Sequence, residues 1–296
     1  MKKILLGLII LFAGVSQLFS QDSLSAVPAQ KPLVKAAFES GILGDYQTIA
    51  LPPAHTLEFV LQHRFGAYNG DLSAFTKDLM GIWGSSNIRF GLNFSLSKNV
   101  LIGIGTTKNK IMQDFQLKYT FLRQRQGGAP VSMSFYGNAA ISCVDKSKFG
   151  PDYKFVHRFS YYAELMIAKR FCKEFSAQVS IAWVHYNIVD SLLTPNYVHA
   201  GNINNNVNIS GIGRLKISPQ SSIFVAYSQP IMTYLNAKPW PNCHLGIEVS
   251  TSTHAFQVYL GAANGIVPQE IAMYNNNDPF MGAILIGFNL TRLWSF

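Results

Sequence analysis

Residues 87–96 read Asn-Ile-Arg-Phe-Gly-Leu-Asn-Phe-Ser-Leu. In an extended chain successive side chains point to opposite sides. Ile88, Phe90, Leu92, Phe94 and Leu96 therefore share one face, and Asn87, Arg89, Gly91, Asn93 and Ser95 share the other. Large apolar residues against polar or small ones mark a strand that separates two environments. In residues 56–65, Leu57, Phe59, Leu61 and Phe65 oppose Glu58, Gln62 and Arg64. In residues 114–121, Phe115, Leu117, Tyr119 and Phe121 oppose Asp114, Gln116, Lys118 and Thr120. The pattern returns at 131–141, 157–167, 175–185, 207–215, 243–249 and 256–262, more briefly at 100–106 and 223–227, and finally at 284–296. That gives about twelve strands, an even number as in bacterial single-chain barrels.

Composition says what the apolar face meets. Only 13% of the 296 residues are charged, and 48% are hydrophobic. Soluble globular chains carry roughly 25% charge, so something other than water covers part of this surface. No run of about 18 apolar residues follows residue 20, so helical spans are excluded. A bilayer core then admits only a closed sheet, because every backbone N–H and C=O must be paired. Strands of about 9–11 residues suffice when tilted. The expected fold is all-β: a closed antiparallel transmembrane β-barrel of about 12 strands.

The connections support a membrane-anchored barrel over a water-soluble sandwich. Short links at 97–99, 123–129, 170–174, 218–221 and 250–253 alternate with long ones at 66–85, 144–156, 189–204, 230–242 and 263–279. Residues 108–110 form one short link where a long one is expected. The chain ends on Trp294 and Phe296, with Ile284, Ile286, Phe288 and Leu290 at two-residue steps before them. This resembles the C-terminal recognition strand of outer-membrane proteins and is read as an assembly signal. Arg292 interrupts the stripe, so it is expected to snorkel toward the interface or to sit at a bulge.

At the other end, Lys2 and Lys3 precede an apolar stretch over residues 4–15, and Ser20 is a small residue suited to a cleavage site. Residues 1–20 read as a secretory signal. Residues 21–54, with Pro28, Pro32, Pro52 and Pro53, read as a periplasmic segment or one tucked into the barrel mouth. Residues 55–296 form the barrel.

Several stretches are familiar as a set. Phe38-Glu39-Ser40-Gly41, TLEFVLQHRFG from Thr56, SNIRFGLNF from Ser86, GGAPVSMSFYGNAAI from Gly127, GIEVSTSTHAFQVYLG from Gly246 and IGFNLTRLWSF from Ile286 resemble a Bacteroidota family of outer-membrane β-barrels. That family is catalogued as a domain of unknown function, number 5777. The resemblance spans nearly all of the mature chain. It implies an outer-membrane barrel and carries over no activity, cofactor or site residue.

The residues offer little chemistry of their own. Cys143, Cys172 and Cys243 are odd in number and too far apart for a cysteine zinc site, and no two histidines lie at i+2, i+3 or i+4. No metal and no cofactor is expected. Barrel lipid hydrolases need a serine within reach of a histidine base. The residues two beyond His55, His63, His157, His185, His199, His244 and His254 include no serine; His185 with Asn187, and Ser191 beyond, comes nearest, and the histidines read as rim residues. The pair Gly103 and Gly105 reads as small residues facing the lumen, not as a phosphate cradle. The net charge of +9 falls to +7 once Lys2 and Lys3 leave with the signal. No basic cluster interleaved with aromatics suggests a nucleic-acid face.

The polar phase of the strands is more informative. It assigns Arg64, Arg89, Lys118, Arg158, Arg214 and Lys216 to the lumen, against Glu58, Asp114, Glu164 and Glu248. Ion pairs filling a narrow barrel are one reading, and a water-filled pore with weak anion preference is another. A plugged or gated barrel would act as a scaffold or partner in a surface or envelope complex, using its outer loops. The expected partners are outer-membrane lipid, the barrel-assembly machinery and a protein held by those loops. The first test concerns export. N-terminal sequencing of protein from outer membranes should give a chain beginning within a few residues of Gln21, whereas intact Met1 in that fraction would refute export.

Overall fold

The alternating segments close on themselves. In the computed structural model, residues 31–68, 78–79, 81–189, 204–231 and 239–296 are described. A small hairpin, β1 (Ile42–Leu43) and β2 (Tyr46–Gln47), precedes twelve barrel strands. These are β3 (Thr56–Arg64), β4 (Asn87–Ser95), β5 (Val100–Thr107), β6 (Met112–Leu122), β7 (Ser132–Ser142), β8 (Phe159–Arg170), β9 (Phe175–Tyr186), β10 (Asn205–Lys216), β11 (Ser221–Pro230), β12 (Asn242–Ser250), β13 (His254–Gly261) and β14 (Leu285–Ser295). Each pairs antiparallel with its sequence neighbours, and β14 pairs with β3 from Gly287 opposite Arg64 to Ser295 opposite Thr56. That seam removes the free edges an open sheet would expose. Among the described residues, no helix is long and apolar enough to cross a membrane.

The two faces follow the alternation. Phe90, Ile104, Phe115, Val179 and Val258 stand on the outside, while Arg89, Gly105, Asp114, Ser180 and Gln257 turn in. Arg292 stays in register on the outer face with no bulge, its guanidinium 5.0 Å from the centre of the Trp294 ring. The cation thus lies along an aromatic plane near the end of its strand.

Two expectations need correction. Strand β8 starts at Phe159, not at 157, because Phe155–Arg158 form a 3-10 turn. Apolar alternation runs through the turn and disguised it. More consequential is the N-terminal segment. Within the 21–54 segment, expected in the periplasm or at the mouth, residues 37–52 run inside the barrel, reaching in as far as the Gly44–Asp45 turn between β1 and β2. Gly44 has φ of +61°, a left-handed conformation suited to glycine in a tight hairpin turn.

From the opposite end, the 262–284 connection sends in a short helix, α1 (Pro268–Tyr274). Pro268 at its first position fits a helix start. Gln269, Glu270, Ile271, Ala272 and Met273 are buried. The barrel therefore contains a hydrophobic core of its own. Phe38, Leu43 and Tyr46 from the N-terminal segment join Tyr162, Met166 and Phe224 from the wall, and Ala272 and Met273 from α1. Burial of side chains this size stabilises by about 1.5–3 kcal/mol each relative to exposure.

The outer face generates a test. Phe90 sits mid-strand and Leu96 just beyond the end of β4. An outward arginine costs about 2–4 kcal/mol at the bilayer midplane and about 0–1 near the interface. Phe90→Arg should therefore lower the yield of folded, heat-modifiable barrel well below that of Leu96→Arg. Equal yields would contradict the membrane placement of β4.

Candidate functional site

The lumen is the candidate site, and its wall is built of paired groups. Arg89 on β4 donates Nε to Asp114 Oδ1 at 2.9 Å and Nη2 to Asp114 Oδ2 at 2.6 Å. Asp114 lies on β6, so the pair spans β5, and only glycine at 105 leaves room for it. A Cβ there would fall 2.2 Å from Arg89 Nη2 and 2.6 Å from Asp114 Oδ1. Gly103 sits likewise under the hydrogen bond from Gln116 to Asn93. Both glycines face the lumen, and nothing in the local pattern of β5 shows that they make way for bonds crossing above them. Elsewhere on the wall, Arg214 Nε donates to Glu248 Oε1 at 3.2 Å and Asn93 Nδ2 to Glu58 Oε2 at 2.7 Å. Glu164 accepts from the Ser180 hydroxyl.

The β1–β2 hairpin completes what the wall leaves open. Asp45, fully buried, meets the Arg64 guanidinium through Oδ1, which also accepts from Tyr259 OH at 3.0 Å. Its Oδ2 accepts from Asn242 Nδ2 at 3.0 Å and lies 2.9 Å from His244 Nε2. Burial alone would raise the Asp45 carboxyl, but Arg64 foremost, with His244 and Asn242, holds it well below the usual carboxylate range. Because that shift is downward, its contribution to stability is present above the ordinary carboxyl range and is lost only in stronger acid.

The hairpin backbone is satisfied by wall side chains, as a buried backbone must be. Gln257 accepts from Gly44 N at 3.0 Å and donates to Ile42 O at 2.8 Å, while Asn289 Nδ2 donates to Gly44 O at 2.7 Å. Lys118 Nζ donates to Gly41 O and Thr48 O at 2.8 and 2.9 Å. Gln178 brackets Gln47 O and Ile49 N at 2.7 and 3.0 Å. At the end of the short turns, which in outer-membrane barrels is the periplasmic one, Glu39 pairs with Lys216 at 2.7 Å and Arg214 at 3.1 Å. Burial opposes ionisation of Glu39, yet Lys216 and Arg214 hold its carboxyl below the ordinary value.

On the outer side, α1 is tied down by Asn206 Nδ2 to Ala272 O at 2.9 Å and by Gln269 Nε2 to Asn138 Oδ1 at 2.9 Å. Asn109 Nδ2 donates to Glu270 Oε1 at 2.5 Å, and burial pushes the Glu270 carboxyl up. Between hairpin and wall, and between hairpin and α1, the described voids are about 20 Å³ each, room for a single water. Larger spaces lie toward the two mouths. One of about 470 Å³ adjoins Glu39, Lys216 and the short turns, and one of about 560 Å³ adjoins Arg158 and the outer loops.

Of the ten charged residues assigned to the lumen, Glu58, Arg64, Arg89, Asp114, Lys118, Glu164, Arg214 and Glu248 are buried within it. Lys216 lies at the periplasmic rim. Arg158 belongs to the outer mouth instead, because it sits on the 3-10 turn. There its Nη1 donates to Ser142 O and Val144 O at 2.8 and 2.7 Å, and its Nε to Tyr153 OH at 2.6 Å. Trp294 lies at the end of β14 and Phe296 just beyond it. His244 is no rim residue, and His63 and His185 stack on the outer-face rings of Phe288 and Trp183. His199, Ser191 and most of the 189–204 loop lie outside the described residues. Among the described residues, no group of three His, Cys, Asp or Glu side chains could hold a metal ion.

A closed twelve-strand sheet with lipid-compatible outer residues defines an outer-membrane β-barrel. The family described as "Membrane bound beta barrel domain (DUF5777)" matches residues 38–294, and the chain belongs to it. Among solved structures, the NanC porin is similar in fold, with a TM-score of 0.51 at 6% identity, over 80% of this chain and 99% of that one. The COG4313 outer membrane channel from Pseudomonas putida F1 follows at 0.48 and 12%, over 83% and 97%. The KdgM porin gives 0.43 and 7%, over 81% and 99%. A comparison with curated protein sequences returns no match.

The glycine beneath the wall pair gives the next prediction. Gly105→Ala should separate Arg89 from Asp114, and breaking a buried pair costs about 3–5 kcal/mol. Gly211, with nothing within 4 Å of its would-be Cβ, is the control. Gly105→Ala should lower the temperature at which the barrel loses its heat-modifiable band, and Gly211→Ala should leave it unchanged within error.

Proposed function

We propose that this protein is a plugged outer-membrane barrel, closed at rest, that serves as a scaffold or partner in an envelope-surface complex. The observation that carries this reading is the double filling of the lumen, by the β1–β2 hairpin from one end and α1 from the other. A barrel filled in this way is a rigid stave wall around a core, suited to presenting loops. The long connections carry well-exposed apolar residues, Trp83, Phe155, Phe280 and Met281. Apolar surface of that kind on loops is the usual mark of contact with another molecule.

Charge bookkeeping favours closure. On the wall strands alone, Arg64, Arg89, Lys118, Arg214 and Lys216 stand against Glu58, Asp114, Glu164 and Glu248, and α1 brings in Glu270. Asp45 and Glu39 add two acids, each on a basic partner. The resting lumen therefore has no cationic excess with which to select anions. A second reading, a small-solute channel with weak anion preference, applies to a state with both the hairpin and α1 withdrawn, where the wall keeps one excess cation. Lipid hydrolysis has less support, since His244 is turned onto Asp45 inside the plug and away from lipid.

Planar-bilayer recording tests the closed state. The unmodified protein should conduct little. Gly44→Val places a side chain where a Cβ meets His244 Nδ1 at 2.3 Å, on a backbone already left-handed, and should displace the hairpin. Asp45→Asn leaves Arg64 unpaired at a cost of about 3–5 kcal/mol. Both variants should leak. Steady anion-selective conductance in the unmodified barrel would overturn the plugged reading in favour of the channel.

A further inference from the structure

The outer mouth holds a second space that the plug does not explain. It measures about 560 Å³, within the range of small-molecule sites. Its floor is the inner face of the outer strand ends, with Met112, Ser160 and Tyr186. Gln269 of α1 seals the floor, reaching Asn138 and, at 3.4 Å, Ser160. Val144, Phe149, Ile188 and Val189 make the walls largely apolar.

Over this apolar body stand three cations. Lys110 occupies a left-handed backbone, φ +52°, followed by Ile111 at +45°. Such conformations cost energy outside glycine and persist where surroundings impose them. The Lys110 ammonium lies 3.7 Å above the Tyr274 ring centre, and Tyr274 is braced edge-on by Tyr186 at 5.0 Å. Arg158 is held by its three hydrogen bonds and lies 5.0 Å from the Phe149 and 5.1 Å from the Tyr153 ring centres. Lys148 is the third. His157 completes the basic side, and Asp152 is the one carboxylate among the described lining residues. Two of the cations are thus ordered in advance, which lowers the entropic cost of binding an anion.

We propose that this outer vestibule is a binding site for a small organic anion, a carboxylate, sulfate ester or phosphate ester carried on an apolar body. The charged head faces Lys110, Lys148 and Arg158, and the body lies against Met112, Tyr186 and Val189. The site is closed off from the lumen by α1, so the inference does not depend on whether the barrel conducts.

Calorimetry on the full mature chain in lipid nanodiscs tests it, with phenyl phosphate, phenyl sulfate and benzoate as probes. At least one should bind about tenfold or more tighter than both inorganic phosphate and benzyl alcohol, which carry only the head or only the body. Which probe leads identifies the head group. Lys110→Gln and Lys148→Gln should each weaken that probe several-fold in protein that remains heat-modifiable, and Lys169→Gln, at the opposite end of the wall, should not. Asp45→Asn should leak in bilayers yet retain the affinity. Equal binding of benzyl alcohol, no binding of any probe, or unchanged affinity in both lysine variants would overturn the proposal.

Discussion

The carboxylate of Asp45 is the point on which the interior converges. A closed sheet satisfies its own backbone, but it leaves inward side chains to find partners in a space too narrow for bulk water. Arg64, buried completely, has its carboxylate partner outside the barrel strands altogether, on a hairpin that enters from the N-terminal side. Once that pair forms, Asn242, Tyr259 and His244 have an acceptor, and Gln257 and Asn289 have a backbone turn to hold. A buried ion pair specifies position more than it adds stability, since desolvation offsets much of the attraction. Here it fixes how deep the hairpin sits.

The wall and the plug differ in how they are written in the chain. Strands were legible because lipid on one side and a polar interior on the other impose a period of two on every crossing. The register of Arg89 over Asp114 was not legible, although the two glycines of β5 were visible, because a bond across a strand depends on three strands at once. The start of β8 was misread because Phe155, His157 and Phe159 keep the alternation through a 3-10 turn. Helix α1 left a weak local signal, Pro268 with Glu270 two residues on, inside a connection otherwise rich in asparagine. The Asp45 site left less. Its partners lie 19 to 214 residues away, and Gly44-Asp45 announces a turn without saying what surrounds it.

The two ends of the molecule are unlike. At the periplasmic side, Glu39 pairs with Lys216 and Arg214, and Glu248 with Arg214, so that two acids balance two bases on the approach to the hairpin. At the outer side, Lys110, Lys148 and Arg158 outnumber Asp152 over an apolar floor. Charge is therefore balanced where the protein is filled and unbalanced where it is open. An interior built for neutrality and a mouth built for anions are separate devices, joined only through α1.

The hairpin also has a mechanical consequence. Its tip is held by Arg64 on the first barrel strand and by Asn289 on the last, and these two side chains meet each other at 3.1 Å. The turn therefore bridges the place where the two ends of the sheet zip together, acting as a rivet from within. Sliding β14 along β3 would drag Asn289 off Gly44 while Arg64 stayed on Asp45, so the rivet resists shear as well as sideways parting. It also couples the last strand to the hairpin, because Asn289 finds both Arg64 and the Gly44 carbonyl only when the turn is already in place inside.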